Sequence, residues 1–377
     1  MRKSKKATIA LAAGVALLSG SFVAATATTA NAAGVCTAGL AKATAAVKLA
    51  ANSAAPWTGP KTGPKASAGK TIYYVAQTMQ NGGVAGAEMG VEEAAKAIGW
   101  TVKVLDGQGT QQGMAQAMQQ AVTLHADGIV VGGFDPATTN DAIKAAQAAN
   151  IPVIGWHAEP TAGPQPSAGL FTNVTTLRAD VSRISADWTI VDSKGKGGVV
   201  VFSDFSIPFA KGKSDEIVAE LKTCPSVSLL KYDNIPIGNS TSTLMQSETQ
   251  ALLAKYGAKW TQSISINGSL YVTPIATAMR AAGKKGTDFP HNVGAGDGAT
   301  DEYSRIASAS YQSVTVPEPL NQEGWQIVDE FNRAFNKVAA TGYVPATHLV
   351  TKANIGTATS WDPQNGYRNI YKKIWGK

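Results

Sequence analysis

The sequence predicts an α/β protein built from two doubly wound lobes of parallel sheet. Between 71 and 155, short apolar runs alternate with segments whose apolar residues recur at helical spacing. The same alternation returns from 174 to 340, after a Pro- and Gly-rich break at 158–169. Such alternation is typical of parallel strands joined by right-handed helical crossovers. Because 377 residues exceed the size at which one core usually divides, two sets of strands indicate two lobes.

The first set begins with Thr71–Ala76, a near-continuous apolar run suited to a strand buried on both faces. In the segment that follows, 84–98, apolar residues recur every three or four positions and predict a helix. The other elements of this set show the same two patterns: strands 101–105, 128–132 and 152–155, and helices 111–124 and 136–149.

The second set repeats these patterns. Its predicted helices are 174–191, 208–222, 242–255, 271–282, 299–307 and 321–340. Its predicted strands are 198–202, 226–230, 262–266, 291–295 and 312–316, and Leu349–Thr351 is a short strand in the mixed final segment.

The first 32 residues have the parts of a secretory signal peptide. A basic start precedes an apolar stretch, Ile9–Leu18, which is shorter than the about 20 residues that span a bilayer. Ala30-Asn31-Ala32 has the small–x–small pattern of a cleavage site, so we expect cleavage near Ala32. Ser21 stands where a lipoprotein would need Cys, so no lipid anchor is expected. The sequence predicts an exported, soluble protein of the periplasm or the cell-envelope exterior.

Residues 33–70 form a predicted N-terminal extension and linker. The part at 34–55 has helical spacing, and 56–70 is rich in Pro and Gly, which favours an extended linker. Cys36 lies in this extension, and the second cysteine is Cys224. In an oxidising compartment a disulfide between them is expected, and its closure of about 190 residues would contribute roughly 5 kcal/mol. Two free thiols are the alternative.

The sequence lacks the motifs that are typical of several functional classes. Four of the 33 basic residues lie in the signal peptide, so the net charge falls from +7 to +3 without it. No later segment combines clustered Lys and Arg with aromatic residues, so no nucleic-acid partner is expected. The phosphate-binding loop and the nucleophile elbow are missing, and the four histidines share no metal-ligand spacing. We therefore expect no catalysis, cofactor or metal.

Ligands of doubly wound sheets lie beyond the carboxyl ends of the strands. The loops at these positions contain carboxylates, amides and aromatic rings: Asn81, Asp135, Trp156, His157, Asp204, Asn267, Tyr271 and Asp297. Carboxylates and amides bind neighbouring hydroxyl groups, and aromatic rings cover apolar C–H faces. This combination favours a polyhydroxylated ligand.

Structural roles remain open for several of these residues. Asp135, followed by Pro136, also suits a helix N-cap, and Asp204 suits one too. Trp156 could belong to the core, and His157 could be a structural histidine. Asp297, placed between glycines at a strand end, has the weakest structural explanation.

Residues from about 70 to 345 resemble the type 1 periplasmic sugar-binding proteins, the ribose-binding-protein-like receptors of ABC transporters. The matching segments are Thr71–Ala76 with Asn81, Gly90–Trp100, Ala126–Val131, Ala149–Ile154, Ala278–Gly283 and Gly294–Gly298. Their order and spacing together carry the resemblance. It implies two lobes that close over a ligand about a hinge of three crossing segments, near 172, 318 and 345.

The resemblance also assigns roles and boundaries. It implies that Asn81 and Asp297 hold sugar hydroxyls, and that Asp135, Lys211 and Glu318 lie at or beside further binding positions. The sequence departs from the family pattern at Gly82-Gly83, where aromatics are common, and at His157-Ala158, which replaces an Asp-Arg pair. The implied N-terminal lobe is 71–172 with 319–345, and the C-terminal lobe is 173–318 with 346–377.

The resulting functional hypothesis is a monomeric receptor that delivers a sugar or polyol to the permease of an ABC importer. A sensory partner of a membrane receptor kinase is the alternative, and an exported α/β enzyme is less favoured because no nucleophile is visible.

Overall fold

Two six-stranded sheets organise the protein in a computed structural model, which describes residues 36–52, 56–238 and 241–377. The first sheet contains β1 (Thr71–Ala76), β2 (Thr101–Asp106), β3 (Gly128–Gly132), β4 (Val153–Trp156), β5 (Gly163–Gln165) and β6 (Leu170–Val174). Their order is β2-β1-β3-β4-β6-β5, and all neighbours are parallel except β5 with β6. The second sheet contains β7 (Gly198–Ser203), β8 (Ser228–Asn234), β9 (Gln262–Ser265), β10 (His291–Gly294), β11 (Val314–Thr315) and β12 (Val350–Thr351). Its order is β12-β11-β10-β9-β7-β8, with only β12 antiparallel to its neighbour.

Helices cover both faces of each sheet. They are α1 (Thr37–Ala50), α2 (Gly82–Ile98), α3 (Gln111–Thr123), α4 (Asn140–Ala148), α5 (Arg178–Asp192), α6 (Pro208–Leu221), α7 (Thr241–Tyr256), α8 (Gly268–Ala281), α9 (Thr300–Ala307), α10 (Leu320–Phe335) and α11 (Tyr367–Trp375). The predicted fold class, two doubly wound lobes with crossing segments between them, is confirmed.

Each sheet has a hydrophobic core on both faces because its central strands, such as β1 and β7, carry apolar side chains on both sides. In β1, Tyr74 belongs to one core and Val75 to the opposite one, as expected from the two-residue period of a strand. In β7, Val199 and Val200 divide in the same way. The parallel register aligns the carboxyl ends of neighbouring strands, so the loops that follow them share one edge of each sheet.

The region between the two sets differs from the prediction. The break at 158–169 contains the short strand β5, and β6 extends to Val174, where a helix was predicted to begin. Helix α5 therefore starts only at Arg178. The predicted helix 136–149 begins as a 3₁₀ turn, Pro136–Thr139, before α4.

The N-terminal extension packs on both lobes. Helix α1 lies against the second-lobe core, and Cys36 forms the expected disulfide with Cys224, with a Cα–Cα distance of 5.1 Å. Residues 56–70 hold no helix or strand, as predicted, but they are not a free linker. The Asn332 side chain of α10 bonds to the backbone of Ser67 at 2.9 Å, and Arg333 donates to Thr62 O at 2.7 Å.

The final helix departs from the predicted boundaries, which placed 346–377 in the C-terminal lobe. Helix α11 instead packs on the first lobe, where Trp375 stacks on Trp325 of α10 and donates to Asp329 at 2.8 Å. Only β12 of this segment joins the second sheet. An amphipathic helix can cover any complementary apolar face, so its sequence did not reveal which lobe it would join.

None of the helices in the described ranges combines the length and the apolar character needed to cross a bilayer. The predicted signal peptide, residues 1–32, lies outside the described residues.

Candidate functional site

A cavity of about 50 Å³ lies between the lobes, at the carboxyl ends of both sheets. Its lining from the first lobe is Gln77, Asn81, Gly133, Trp156 and His157, and from the second lobe Ile207, Phe209, Ala210, Lys213, Ile237, Ile266, Asn267 and Asp297. Five of the residues predicted from the sequence are in this set: Asn81, Trp156, His157, Asn267 and Asp297.

Two amide side chains join the lobes across the cavity. Asn267 Nδ2 donates to Asn81 Oδ1 at 2.9 Å and also to the carboxylate of Asp297. Both asparagines are held by helix N-termini, since Asn81 Oδ1 accepts from Gly83 N at 3.0 Å and Asn267 Oδ1 accepts from Leu270 N at 2.8 Å. These caps fix the amides in position before any ligand arrives.

Gly83 allows Asp297 to approach the start of α2. A Cβ at position 83 would lie 2.4 Å from the Asp297 carboxyl carbon, far inside van der Waals contact. Asp297 has φ +61, and the glycines on either side of it, Gly296 and Gly298, also have positive φ. The pair Gly82-Gly83, which departs from the family pattern, therefore provides the space into which the Asp297 loop fits.

His157 lies in a stack of three rings that spans the lobes. Its ring centroid is 3.9 Å from that of Trp156 and 4.6 Å from that of Phe209. Its Nε2 is 2.9 Å from Glu318 Oε2, which also accepts from Thr176 Oγ1. Glu318 belongs to the crossing segment between β11 and α10, so this pair connects the ring stack to the hinge.

The charges of His157 and Glu318 stabilise each other. Burial lowers the pKa of His157, but the charge and hydrogen bond of Glu318 outweigh burial and raise it above its usual range. Burial raises the pKa of Glu318, yet the nearby imidazolium holds it well below the ordinary carboxyl value. At neutral pH these shifts favour a buried ion pair, because each partner keeps the other charged.

Trp156 is oriented by a second carboxyl group. Its Nε1 donates to Glu323 Oε2 at 2.7 Å, and both side chains are almost completely buried. Burial and the charge of Glu318 raise the pKa of Glu323. Glu323 was not predicted from the sequence, because it lies on α10, far from any strand end.

Lys213 places a buried ammonium group beside the cavity. Its Nζ donates to Ile266 O at 3.0 Å and to Ala295 O at 2.8 Å, and only 3% of the residue is exposed. An ammonium group has three N–H donors, so one remains for a further acceptor. Burial raises the pKa of Asp297, while the charges of Lys213 and His157 partly oppose that rise.

Lys211, which the resemblance assigned, lies elsewhere. Its Nζ is exposed and pairs with Asp215 at 2.6 Å. Residues 209, 210 and 213 of α6 face the cavity, and helical geometry turns position 211 away from them. A search for lysines one turn beyond Phe209 would have found the buried cation.

Three further candidates act within the protein and do not line the cavity. Asp135 accepts from Ala137 N at 2.8 Å, which is the capping role left open above. Asp204 accepts from Ser206 N at 2.8 Å and from Ile237 N at 2.7 Å. Tyr271 donates its hydroxyl to Ile235 O at 2.6 Å.

His157, Glu318 and Glu323 offer ligand atoms within 4.8 Å of one another, and these residue types can bind metals. In the described structure, however, Glu318 Oε2 already accepts from both His157 and Thr176, and Glu323 accepts from Trp156. The arrangement is that of a hydrogen-bonded ion pair.

Solved structures with the same fold include three solute receptors. The periplasmic binding component of the arabinose ABC transporter from Shewanella sp. ANA-3, bound to α- and β-L-arabinofuranose, is 16% identical, with a TM-score of 0.64 over 81% of this chain and 95% of that one. An ABC transporter solute-binding protein from Agrobacterium vitis with bound allitol is 20% identical, with a TM-score of 0.62 over 76% and 97% of the two chains. One from Actinobacillus succinogenes 130z with bound D-allose is 17% identical, with a TM-score of 0.66 over 77% and 100%.

No curated protein sequence matches the chain significantly. The family model described as periplasmic binding protein domain matches residues 72–337, which include both sheets except β12 and β1's first residue, together with every residue that lines the cavity. The chain therefore belongs to the periplasmic binding protein family.

Proposed function

We propose that the protein is an exported receptor that captures a sugar or polyol between its lobes and delivers it to an ABC importer. The observation that carries this proposal is the inter-lobe group of Asn81, Asn267 and Asp297, which offers amide and carboxylate oxygens and amide N–H donors in one buried place. Adjacent hydroxyl groups, each both donor and acceptor, are the chemistry that such a group satisfies.

The charges around the cavity support an uncharged ligand. Asp297 and Glu318 carry the acidic groups, and Lys213 and His157 carry the basic ones. An ion would enter this balanced group without a counter-charge, and burying an unpaired charge is strongly unfavourable. The structural relatives named above hold neutral sugars or polyols, which agrees with this inference.

The ring stack supports binding coupled to lobe closure. Trp156 and His157 belong to the first lobe and Phe209 to the second, so the stack is complete only when the lobes are together. A ligand that contacts both lobes would favour the closed arrangement, which a membrane permease could then recognise. The proposed ligand contacts are Asn81, Trp156, His157, Asn267 and Asp297, and we add Lys213 and Phe209 because they line the same cavity.

A thermal-shift screen across sugars, polyols and small acids tests the binding role. A ligand at 100 times its dissociation constant should add about 2.7 kcal/mol to the free energy of unfolding. We expect Asp297→Ala to abolish that gain. The matched control, Asp135→Ala, removes a carboxylate outside the cavity and should keep the gain while losing about 1 kcal/mol of stability through its cap. Equal ligand responses in both variants would remove Asp297 from the site.

Delivery needs a separate test in cells. A strain without the protein should lose uptake of the labelled ligand that the screen identifies. Unchanged uptake together with a lost transcriptional response to that ligand would favour the sensory alternative.

A further inference from the structure

The second lobe contributes an aliphatic wall to the cavity. Ile207, Ile237 and Ile266, which we call the isoleucine wall, each line the cavity from a different loop. Ile207 precedes α6, Ile237 follows β8, and Ile266 follows β9. Ile266 belongs to one hydrophobic core of the second lobe, and Ile207 and Ile237 are partly buried residues that pack against this core. The wall therefore presents three aliphatic side chains at the strand ends where hydrogen-bonding residues were expected.

The loops that carry the wall are held in place by buried polar groups. Both oxygens of the Asp204 carboxylate are used, one by Ser206 and the other by Ile237 N at 2.7 Å. The Tyr271 hydroxyl holds Ile235 O at 2.6 Å. Asp204 and Tyr271 thus hold the loops beside Ile207 and Ile237, which explains why Asp204 and Tyr271 are buried without lining the cavity.

Three backbone groups along the wall already have partners within the protein. Ile237 N is bound by Asp204, Ile266 O accepts from Lys213 Nζ at 3.0 Å, and Ile266 N donates to Phe202 O at 3.2 Å. A ligand hydroxyl pressed against the three aliphatic side chains would lose its hydrogen bonds to water and gain none from those side chains, which is unfavourable. A methyl group in the same place would be favourable, because burial removes its apolar surface from water.

We propose that the ligand is a deoxysugar, with hydroxyl groups on one edge and a methyl or unsubstituted carbon on the other. The hydroxyl edge faces Asn81, Asn267 and Asp297, and the deoxygenated edge faces the isoleucine wall. This inference rests on the proposed function, since it specifies the ligand class of the same cavity. The isoleucine wall disfavours a hydroxyl group on the edge of the sugar that it contacts, and the polar residues favour hydroxyl groups on the opposite edge.

Calorimetric titration of the whole exported protein with matched sugar pairs tests the inference. The pairs differ by one hydroxyl: L-rhamnose against L-mannose, L-fucose against L-galactose, and D-fucose against D-galactose. In the pair with the correct ring stereochemistry, the deoxysugar should bind about 10 to 100 times more tightly, the range typical of a hydrophobic pocket facing an added hydroxyl.

Two variants of one residue separate polarity from size. Ile237→Thr places a hydroxyl in the wall, whereas Ile237→Val shortens the side chain and keeps it apolar. We expect Thr to reduce the preference for the deoxysugar by at least about threefold and Val to preserve it. An equal loss in both variants would mean that the wall acts through shape alone, and the inference would be wrong.

The two proposals fail differently. If a fully hydroxylated sugar or polyol binds as tightly as its deoxy partner, or if such compounds bind and no deoxysugar does, the deoxysugar inference is overturned and the receptor function stands. If no sugar or polyol binds at all, the proposed function itself fails.

Discussion

Asn267 of the second lobe donates its side-chain amide to Asn81 of the first lobe at 2.9 Å, in a buried contact. Each asparagine also caps the helix that follows it. The contact therefore joins two helix N-termini, α2 and α8, through side chains that are already oriented. Under the proposed function, closure of the lobes and binding of a ligand would use the same two side chains.

Gly83→Ala should weaken ligand binding because it hinders closure of the two lobes. The added Cβ would lie 2.4 Å from the Asp297 carboxyl carbon and would keep the two loops apart. We expect at least about a tenfold loss of affinity by calorimetry, and a larger radius of gyration in small-angle scattering with ligand present. The free energy of unfolding without ligand should change by less than about 1 kcal/mol, because alanine suits a helix better than glycine. Unchanged affinity would show that the loops can separate without losing the site.

Lys213→Met should remove binding and destabilise the protein. The change leaves Ile266 O and Ala295 O without their donor and deprives Asp297 of a nearby positive charge. Loss of one partner from such a buried group costs about 3–5 kcal/mol, measured by urea denaturation. Lys211→Met is the matched control on the same helix and should stay within about 0.5 kcal/mol of wild type. Equal effects of the two changes would contradict the distinct placement of these lysines.

The His157–Glu318 pair should make stability depend on pH. Folding raises the pKa of His157 from 6.5, so its contribution is complete below that value and is lost as pH rises through the folded-state pKa. Folding lowers the pKa of Glu318 from 4.5, so its contribution is complete above that value and is lost as pH falls through the folded-state pKa. Both contributions are complete between these two values.

Urea denaturation of wild type and His157→Gln measures this dependence. The stability difference between them should be largest at about pH 5.5 and should decrease as pH rises through the raised pKa of His157. The charges of Glu323 and Asp297 also raise the pKa of His157 and contribute to the same difference, because their interaction with the imidazolium exists only in wild type. A difference that does not vary with pH would mean that His157 stacks between the rings as a neutral group.

The disulfide should stabilise the fold without affecting the ligand. Cys36→Ser combined with Cys224→Ser releases α1 from its covalent link, and we expect a loss of about 2–5 kcal/mol in free energy of unfolding. Ligand affinity should stay within about twofold, because neither cysteine lines the cavity. Treatment of the wild-type protein with a reductant should reproduce the loss. A large fall in affinity would instead show that α1 acts on the site.

The positions of the cavity residues could be predicted where they follow a strand. Asn81, His157 and Asp297 each come directly after a predicted strand or in its loop, and parallel strands bring such loops to one edge. Lys213 could not be predicted in this way because it lies inside α6 and not directly after a strand. Within a helix, the rotation of the helix decides which side chain faces the cavity. Glu323 could not be predicted for the same reason, because it lies on helix α10.

The roles of Asp204 and Tyr271 show a second limit. Both residue types suit ligand hydroxyls, and both follow strands of the second sheet. Their hydrogen bonds go instead to the loops that carry the isoleucine wall, and no local pattern distinguishes a carboxylate that binds a loop from one that binds a ligand.

The sequence by itself determined the two-lobed α/β fold, because the period of apolar residues records which faces of strands and helices are buried. It also determined which loops meet at the cleft, since parallel strands align their carboxyl ends. Only the tertiary structure decided which lysine enters the cavity, which lobe receives α11, and that Gly83 makes room for Asp297. These outcomes depend on contacts between residues that are far apart in the chain, and a local sequence pattern does not predict such contacts.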